Sequence, residues 1–100
     1  MFKCAAFESL PAASFSASAS ANGDAFEVGF GTAGQPGSMR INGNRQADGR
    51  LRLSGQGIAE SAPYRGASYY TYMDGRFTGN RYEGRGRMGT RDCALDIAPR

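Results

Sequence analysis

The sequence predicts an all-β protein, an up-and-down barrel of about eight antiparallel strands within a single domain spanning 1–100. Glycine makes up 15 of the 100 residues, and Gly- and Ser-rich turns recur at short intervals, as they do between short strands. Between these turns apolar and polar residues alternate, which is typical of strands with one buried face. A bridge between Cys4 and Cys93 would tie the first strand to the last, and a closed barrel leaves no open edge. A two-sheet β-sandwich is the alternative.

Three strands are predicted in the first third of the chain, over 2–7, 14–21 and 24–31. The dipeptide Asn22-Gly23 lies between the second and third of them and is the strongest two-residue hairpin signal. A turn there sets Ala19 opposite Phe26, so that the apolar faces of both strands coincide.

Two strands over 38–45 and 50–57 follow. A loop of two or four residues would place their apolar residues on opposite faces, whereas the three-residue loop Ala47-Asp48-Gly49 places them on one face. That loop class requires a left-handed residue, and Gly49 stands at this position.

The last three strands are predicted over 67–78, 81–88 and 91–98, with turns at Gly79-Asn80 and Gly89-Thr90. The first turn sets two acid–arginine pairs and one tyrosine–arginine pair opposite each other on the outer face: Arg76 and Glu83, Asp74 and Arg85, Tyr72 and Arg87. The second turn sets Arg87 opposite Asp92. The arginines of this region therefore belong mainly to the solvent face of a sheet, with acidic partners.

Two arginines, Arg81 and Arg91, have no obvious acidic partner and are the best candidates for binding an anion. The net charge of +3 and the isoelectric point of about 9.2 permit an anionic partner but do not require one. Nucleic acid is the less favoured of the possible partners.

Catalysis has no support in the sequence. The chain has no histidine and no Cys-x-x-Cys motif, which excludes Ser-His-Asp and Cys-His machinery and leaves a zinc or iron site with almost no support. The pair Asp74 and Glu83 is expected to be held ionised by arginine partners rather than poised as an acid. We therefore expect no enzyme activity, no metal and no cofactor. No apolar run approaches the ~20 residues of a membrane-spanning helix.

A ligand pocket, if the barrel has one, is expected at the end that carries the longer loops, near Gln35, Tyr64 and Arg65. The predicted lining of the interior mixes large apolar residues with many glycines and alanines. This lining fits either a small cavity or a flattened, packed barrel.

An outward-facing aromatic cluster includes Tyr70 and Tyr72, with Arg65 and Arg87 nearby. Such a cluster can stack on bases, form a protein interface or simply pack across strands. A protein partner through Tyr70, Tyr72 and Arg87 is one expectation.

The two cysteines are expected to form a structural disulfide, which implies an oxidising compartment and a secreted or periplasmic protein. Residues 1–21 look partly like a signal peptide, but Glu8 and Pro11 interrupt the apolar stretch. We expect them to belong to the domain, after removal of a longer leader.

From Gly31 onward the chain resembles a family of small exported proteins and domains of Gram-negative bacteria whose function is unassigned. The resemblance rests on "GTAGQPGSMRINGNRQADGRLRLSGQG" and "YYTYMDGRFTGNRYEGRGRMGTRDCALDI". The shared features are a Gly-Thr-x-Gly-Gln-Pro-Gly turn, an Asp-Gly hairpin, an Arg-Phe-x-Gly hairpin and a terminal Arg-x-Cys. It implies export and a disulfide, and it carries no catalytic residues.

The first functional expectation is a non-catalytic exported binding protein with a small molecule at the long-loop end. The alternatives are a structural or accessory interaction module of an envelope or extracellular assembly, and an anion or nucleic-acid binder.

Overall fold

The computed structural model describes residues 1–6, 11–60 and 64–98. They form one up-and-down antiparallel sheet, curled into a half-barrel, and no helix occurs among them. The strands are β1 (Phe2–Cys4), β2 (Ala13–Phe15), β3 (Ser18–Asn22), β4 (Ala25–Phe30), β5 (Met39–Asn44), β6 (Arg50–Ile58), β7 (Ser68–Thr78), β8 (Arg81–Met88) and β9 (Arg91–Ile97). The predicted fold class is confirmed, and the described chain forms a single sheet rather than a sandwich.

The predicted strand 14–21 is two strands, β2 and β3, which lie at opposite edges of the sheet. The order across the sheet is β2-β1-β9-β8-β7-β6-β5-β4-β3. Phe15 pairs with Phe2 of β1 and Ser18 pairs with Gly29 of β4, so only two residues link the edges. Three residue steps span at most about 11 Å, so the curl must bring the edges together here. The sheet keeps two edges, β2 and β3, so the predicted meander barrel is observed as a half-barrel.

The first hairpin turns one residue later than predicted. Asn22 pairs with Ala25, which makes Gly23-Asp24 the two-residue loop, and Ala21 rather than Ala19 lies opposite Phe26. Gly23 has a φ of 64° and takes the first loop position, where the tight hairpin turns need a positive φ. The pairing is shifted by two residues, so the same side chains still face inward.

The other three predicted turns are confirmed. Gln46 and Arg50 close the loop around Gly49, which has a φ of 87°, through a 2.8 Å hydrogen bond from the Gln46 N–H to the Arg50 carbonyl. Thr78 pairs with Arg81 across the Gly79-Asn80 turn, and β8 pairs with β9 across Gly89-Thr90. The register of these later strands follows the prediction throughout.

The concave side of the sheet holds one packed core. Its buried apolar residues are Phe2, Cys4, Val28, Met39, Ile41, Leu51, Leu53, Met73, Tyr82, Cys93 and Leu95. Tyr82 is fully buried, and its hydroxyl donates a 2.8 Å hydrogen bond to the carbonyl of Leu51. Its ring lies against Gly75 and Gly84, where a Cβ atom would approach ring atoms within 3 Å. Of the two expected forms of the interior, the packed one is therefore observed.

The predicted disulfide between Cys4 and Cys93 is present, with the sulfur atoms 2.03 Å apart. The two residues are direct partners in the pairing of β1 with β9, and their Cα atoms lie 4.1 Å apart. The bridge thus fixes β1, a strand of only three residues, to β9.

Candidate functional site

The outer face of β6, β7 and β8 combines tyrosines with a high density of arginines. Its residues alternate with the buried ones along the three strands and are called here the tyrosine–arginine face: Arg50, Arg52, Ser54, Gln56, Tyr70, Tyr72, Asp74, Arg76, Arg81, Glu83, Arg85 and Arg87. Six arginines stand against two acidic residues on this face.

Two tyrosines form the aromatic part of the face, as predicted. Tyr70 is 56% exposed, and its ring centroid lies 6.1 Å from that of the half-buried Tyr72. The guanidinium of Arg52 lies 5.6 Å from the Tyr72 centroid, within the range of a cation–π contact. This neighbour comes from β6, whereas the sequence pointed to Arg87 of β8.

The predicted register of the charged residues is confirmed, but only one of the expected ion pairs forms. Arg87 lies 3.1 Å from Asp92, as expected. Asp74 is paired with Arg52 at 3.6 Å instead of Arg85, and Glu83 is paired with Arg81 at 3.3 Å instead of Arg76. Asp74 lies directly opposite Arg52 in the pairing of β6 with β7, and Glu83 is two positions from Arg81 along β8. The partner predicted from the pairing of β7 with β8 is therefore not the ionic one.

Two arginines of the face are consequently left without an acidic partner within ion-pair distance. They are Arg76 and Arg85, judged over residues 1–6, 11–60 and 64–98. Both are exposed. The residues that sequence reasoning regarded as paired are the ones left available.

Arg81, which was predicted to lack a partner, is doubly paired. Its Nε and Nη2 atoms donate to the two carboxylate oxygens of Asp96 at 3.0 and 2.5 Å. The Arg81 hydrogen bonds lower the pKa of Asp96 below its usual value. The sequence missed this pair because Asp96 lies directly opposite Glu83 in the pairing of β8 with β9, so that Arg81 reaches it diagonally.

Arg91 is also engaged, with backbone rather than with acids. Its guanidinium donates to the carbonyls of Ala5 at 2.7 Å and Pro11 at 2.5 Å, and it lies 6.0 Å from the Phe15 ring centroid. Arg91 thus ties the segment between β1 and β2 to the end of β9. Its geometry serves the fold rather than a free anion.

The predicted pocket residues lie in two separate loops at the long-loop end. The carbonyl of Gln35 accepts hydrogen bonds from the Ser38 N–H and hydroxyl, at 3.1 and 2.7 Å. Tyr64 is 61% exposed and Arg65 is exposed. Residues 61–63, which precede them, lie outside the described part.

Two surface depressions are found in the described chain, and neither involves Gln35, Tyr64 or Arg65. One, of about 220 Å³, lies on the outer side of β3, β4 and β5. The other, of about 500 Å³, lies over the outer side of β1, β7, β8 and β9 and is bordered by charged side chains such as Lys3, Asp74 and Arg85.

Arg40 is a residue whose role sequence reasoning missed. Its guanidinium donates to the carbonyls of Phe30 at 2.6 Å, Met39 at 2.7 Å and Gly31 at 2.8 Å. The side chain lies across Gly29, where a Cβ atom would come within 2.5 Å of the Arg40 Cδ. Gly29, directly opposite Arg40 in the register of β4 and β5, is the signal that could have indicated this contact.

Among the described residues, no three of the His, Cys, Asp and Glu side chains are grouped so as to hold a metal ion. The same residues contain no helix long and apolar enough to cross a membrane.

No family model, no curated protein and no solved structure matches this chain. The resemblance to exported Gram-negative proteins stays a prediction. Fold and surface together define the class as an all-β half-barrel with a disulfide between β1 and β9, a packed core and a polar outer face.

Proposed function

We propose that this protein is a non-catalytic interaction module that binds an acidic surface of a protein partner through its tyrosine–arginine face. The observation that carries the proposal is the exposed Tyr70, whose ring lies 6.1 Å from that of Tyr72, with the Arg52 guanidinium 5.6 Å from the Tyr72 ring. Tyr and Arg are the residues most enriched at the energetic centres of protein interfaces.

A protein partner is preferred to a small molecule because the concave side is filled. Small ligands are usually held in clefts that cover most of their surface. Here the core residues are 0–6% exposed, and both depressions lie on the outer side of the sheet. The open outer face, including the depression beside Asp74, Glu83 and Arg85, suits a macromolecular surface better.

The excess positive charge of the tyrosine–arginine face indicates an acidic partner. Arg76 and Arg85 have no acidic partner in the described chain, whereas Arg52, Arg81 and Arg87 do. Two available guanidinium groups on the same outer face as Tyr70 and Tyr72 suit a small acidic patch. An extended nucleic-acid backbone is disfavoured, since its binding requires many free cations.

We place the module outside the cytoplasm, in the periplasm or the extracellular space. The disulfide between Cys4 and Cys93 supports this, because such bonds persist in oxidising compartments. The resemblance noted from Gly31 onward points the same way. An accessory subunit of an envelope or extracellular assembly would satisfy both.

The test is to capture partners with unreduced protein and to measure the affinity of each for variants of the face. Tyr70→Ala and Arg85→Glu should each weaken binding of the true partner by about 30-fold, which corresponds to ~2 kcal/mol at an interface hot spot. Ser14→Ala, on the outer side of the distant β2, is the matched control and should leave the affinity unchanged.

Two results would overturn this assignment. One is a native mass spectrum in which the protein from its source carries a small molecule that leaves on denaturation. The other is a partner whose affinity is insensitive to both Tyr70→Ala and Arg85→Glu. A steep loss of binding to oligonucleotides with salt would instead support the nucleic-acid alternative.

A further inference from the structure

The edge formed by β3 is unprotected. Its five residues, Ser18–Asn22, are all exposed, and they include no charge and no proline. Within the described chain, β3 pairs on one side only, with β4. Sheet edges of this kind attract additional strands, and proteins usually block them with lysine, proline or a bulge.

The backbone of β3 presents hydrogen-bonding groups to the open side. The N–H of Arg45 donates to the Asp24 carbonyl at 2.7 Å. Bonding to one neighbour alternates along an antiparallel strand, so Phe26, Val28 and Phe30 also direct their backbone groups toward β5. The residues between them, Ala25, Glu27 and Gly29, must bond to β3. Because their partners are Asn22, Ser20 and Ser18, the N–H and C=O groups of Ala19 and Ala21 point away from β4.

The side chains beside these groups leave room on the concave side. Ala19 and Ala21 belong to the inward-facing set, yet both are exposed. Their neighbour Phe26 is only partly buried against the core. A strand placed beside β3 would therefore cover apolar surface as well as satisfy backbone groups.

We propose that the outer edge of β3 accepts an extended segment of a partner protein, which adds one strand to the sheet. The segment would carry bulky apolar residues at every second position, and these would pack over Ala19 and Ala21 toward Phe26. Strand addition of this kind takes affinity from backbone hydrogen bonds and specificity from the alternate side chains. This site is separate from the tyrosine–arginine face and does not depend on it.

A second copy of the chain is the less suitable occupant. Antiparallel pairing of β3 with itself would set alanines against alanines and serines against serines, which covers little of Phe26. Stable dimers bury about 1,200 Å² or more, and a strand of five small residues contributes little of that. A segment of another protein with large inward side chains would fill the open space over Ala19 and Ala21 better.

The experiment uses the full disulfide-bonded protein and a panel of capped ten-residue peptides. In each peptide Val, Ile or Phe alternates with Thr, and lysines at both ends keep it monomeric. Affinity is measured by calorimetry, and hydrogen exchange reports the protection of residues 18–22. We expect at least one peptide to bind and to slow exchange at Ala19 and Ala21.

Two variants with the same added charge separate the edge from a general surface effect. Ala19→Lys places the charge on the inward side of β3, which blocks strand addition, and should weaken peptide binding by at least about tenfold. Ser20→Lys places it on the outer side of the same strand and should change binding less than about threefold. Ala21→Pro, which removes an outward N–H, provides a second test if Ala19→Lys lowers the stability.

Three outcomes would overturn the proposal. The first is that no peptide of the panel binds. The second is that a peptide binds without protecting residues 18–22, or binds equally well to Ala19→Lys and Ala21→Pro. The third is that the protein alone sediments as a dimer with β3 protected from exchange, which would assign the edge to a second copy.

Discussion

Tyr82 shows how a single side chain fills the concave side of the sheet. It lies on β8, yet its hydroxyl reaches the Leu51 carbonyl of β6, crossing the width of β7. This reach is possible because Gly75 and Gly84 beneath the ring have no side chains. The alternation along β8 places Tyr82 on the inward side, whereas its hydrogen bond to a residue 31 positions earlier depends on the curl of the sheet.

Replacing Tyr82 by Phe should destabilise the protein by about 1–2 kcal/mol, because the buried Leu51 carbonyl loses its donor. Burial and, to a lesser extent, the charge of Asp74 raise the pKa of Tyr82 to about 12. The phenol of an unfolded chain titrates near pH 10, so between about pH 10 and 12 the folded state holds more protons. The free energy of unfolding should therefore fall with rising pH in this window.

Urea denaturation at a series of pH values with the disulfide intact measures this effect. In the Tyr82→Phe variant, the free energy of unfolding should decline less steeply above about pH 10 than in the wild type. Tyr69→Phe is the control, since burial also raises the pKa of Tyr69 and its contribution must be separated. An unchanged alkaline decline in Tyr82→Phe would show that this hydroxyl is not protected by the fold.

At the scale of the strand, glycines mark the places where neighbouring backbones approach closely. A Cβ atom at Gly43 of β5 would lie 1.9 Å from the Arg52 carbonyl oxygen, and one at Gly86 of β8 would lie 1.8 Å from that of Tyr72. Glycine inside a strand is typical of such close approach at tight bends. The inward glycines therefore shape the curl, and they do not line a cavity.

Two glycine substitutions should differ sharply in cost. Gly43→Ala sets the new methyl group against backbone, which cannot move without disturbing the pairing, and should cost about 3 kcal/mol. Gly57→Ala meets the Tyr69 ring, with its ring carbon Cζ 2.3 Å away. That half-buried ring can rotate, so the cost should be about 1 kcal/mol.

Denaturant titration of both variants measures the difference in the free energy of unfolding. Equal costs would mean that the sheet itself yields at Gly43. If the unfolding free energy of both variants depends on denaturant concentration as steeply as that of the wild type, unfolding still exposes the same surface area.

At the scale of the whole molecule, the disulfide stabilises the part of the sheet that has the shortest strands. β1 has three residues and joins β2 to β9, and Cys4 is bonded to Cys93 at one end of the pairing of β1 with β9. The bridge closes a loop with a sequence separation of 89 residues. Arg91 assists by binding the carbonyls of Ala5 and Pro11.

Replacing both Cys4 and Cys93 by Ala should lower the free energy of unfolding by about 4 kcal/mol, because the unfolded chain regains the entropy of a long open loop. Hydrogen exchange should show β1 and β2 opening before the rest of the sheet. Wild-type protein in reductant should behave like the double variant, and reductant should not affect the double variant. A loss below about 1 kcal/mol would contradict a structural role for the bridge.

The sequence by itself determined the fold class, most of the strands, three of the four predicted turns and the cysteine pair. Alternating apolar residues and glycines with a required positive φ are local signals, and local signals define strands and hairpins. For the same reason the outward positions of Tyr70 and the arginines of β7 and β8 were predicted correctly.

Tertiary structure alone decided how the sheet closes and which charges are free. The division of 14–21 into two edge strands follows from the curl, which brings distant edges together at Ser16 and Ala17. Arg81 is paired while Arg85 is left available, because Asp96 of β9 lies within reach of Arg81, whereas Asp74 pairs with Arg52 of β6. Such long-range contacts depend on the distances between strands in the folded sheet, and these distances are not encoded in any short stretch of sequence.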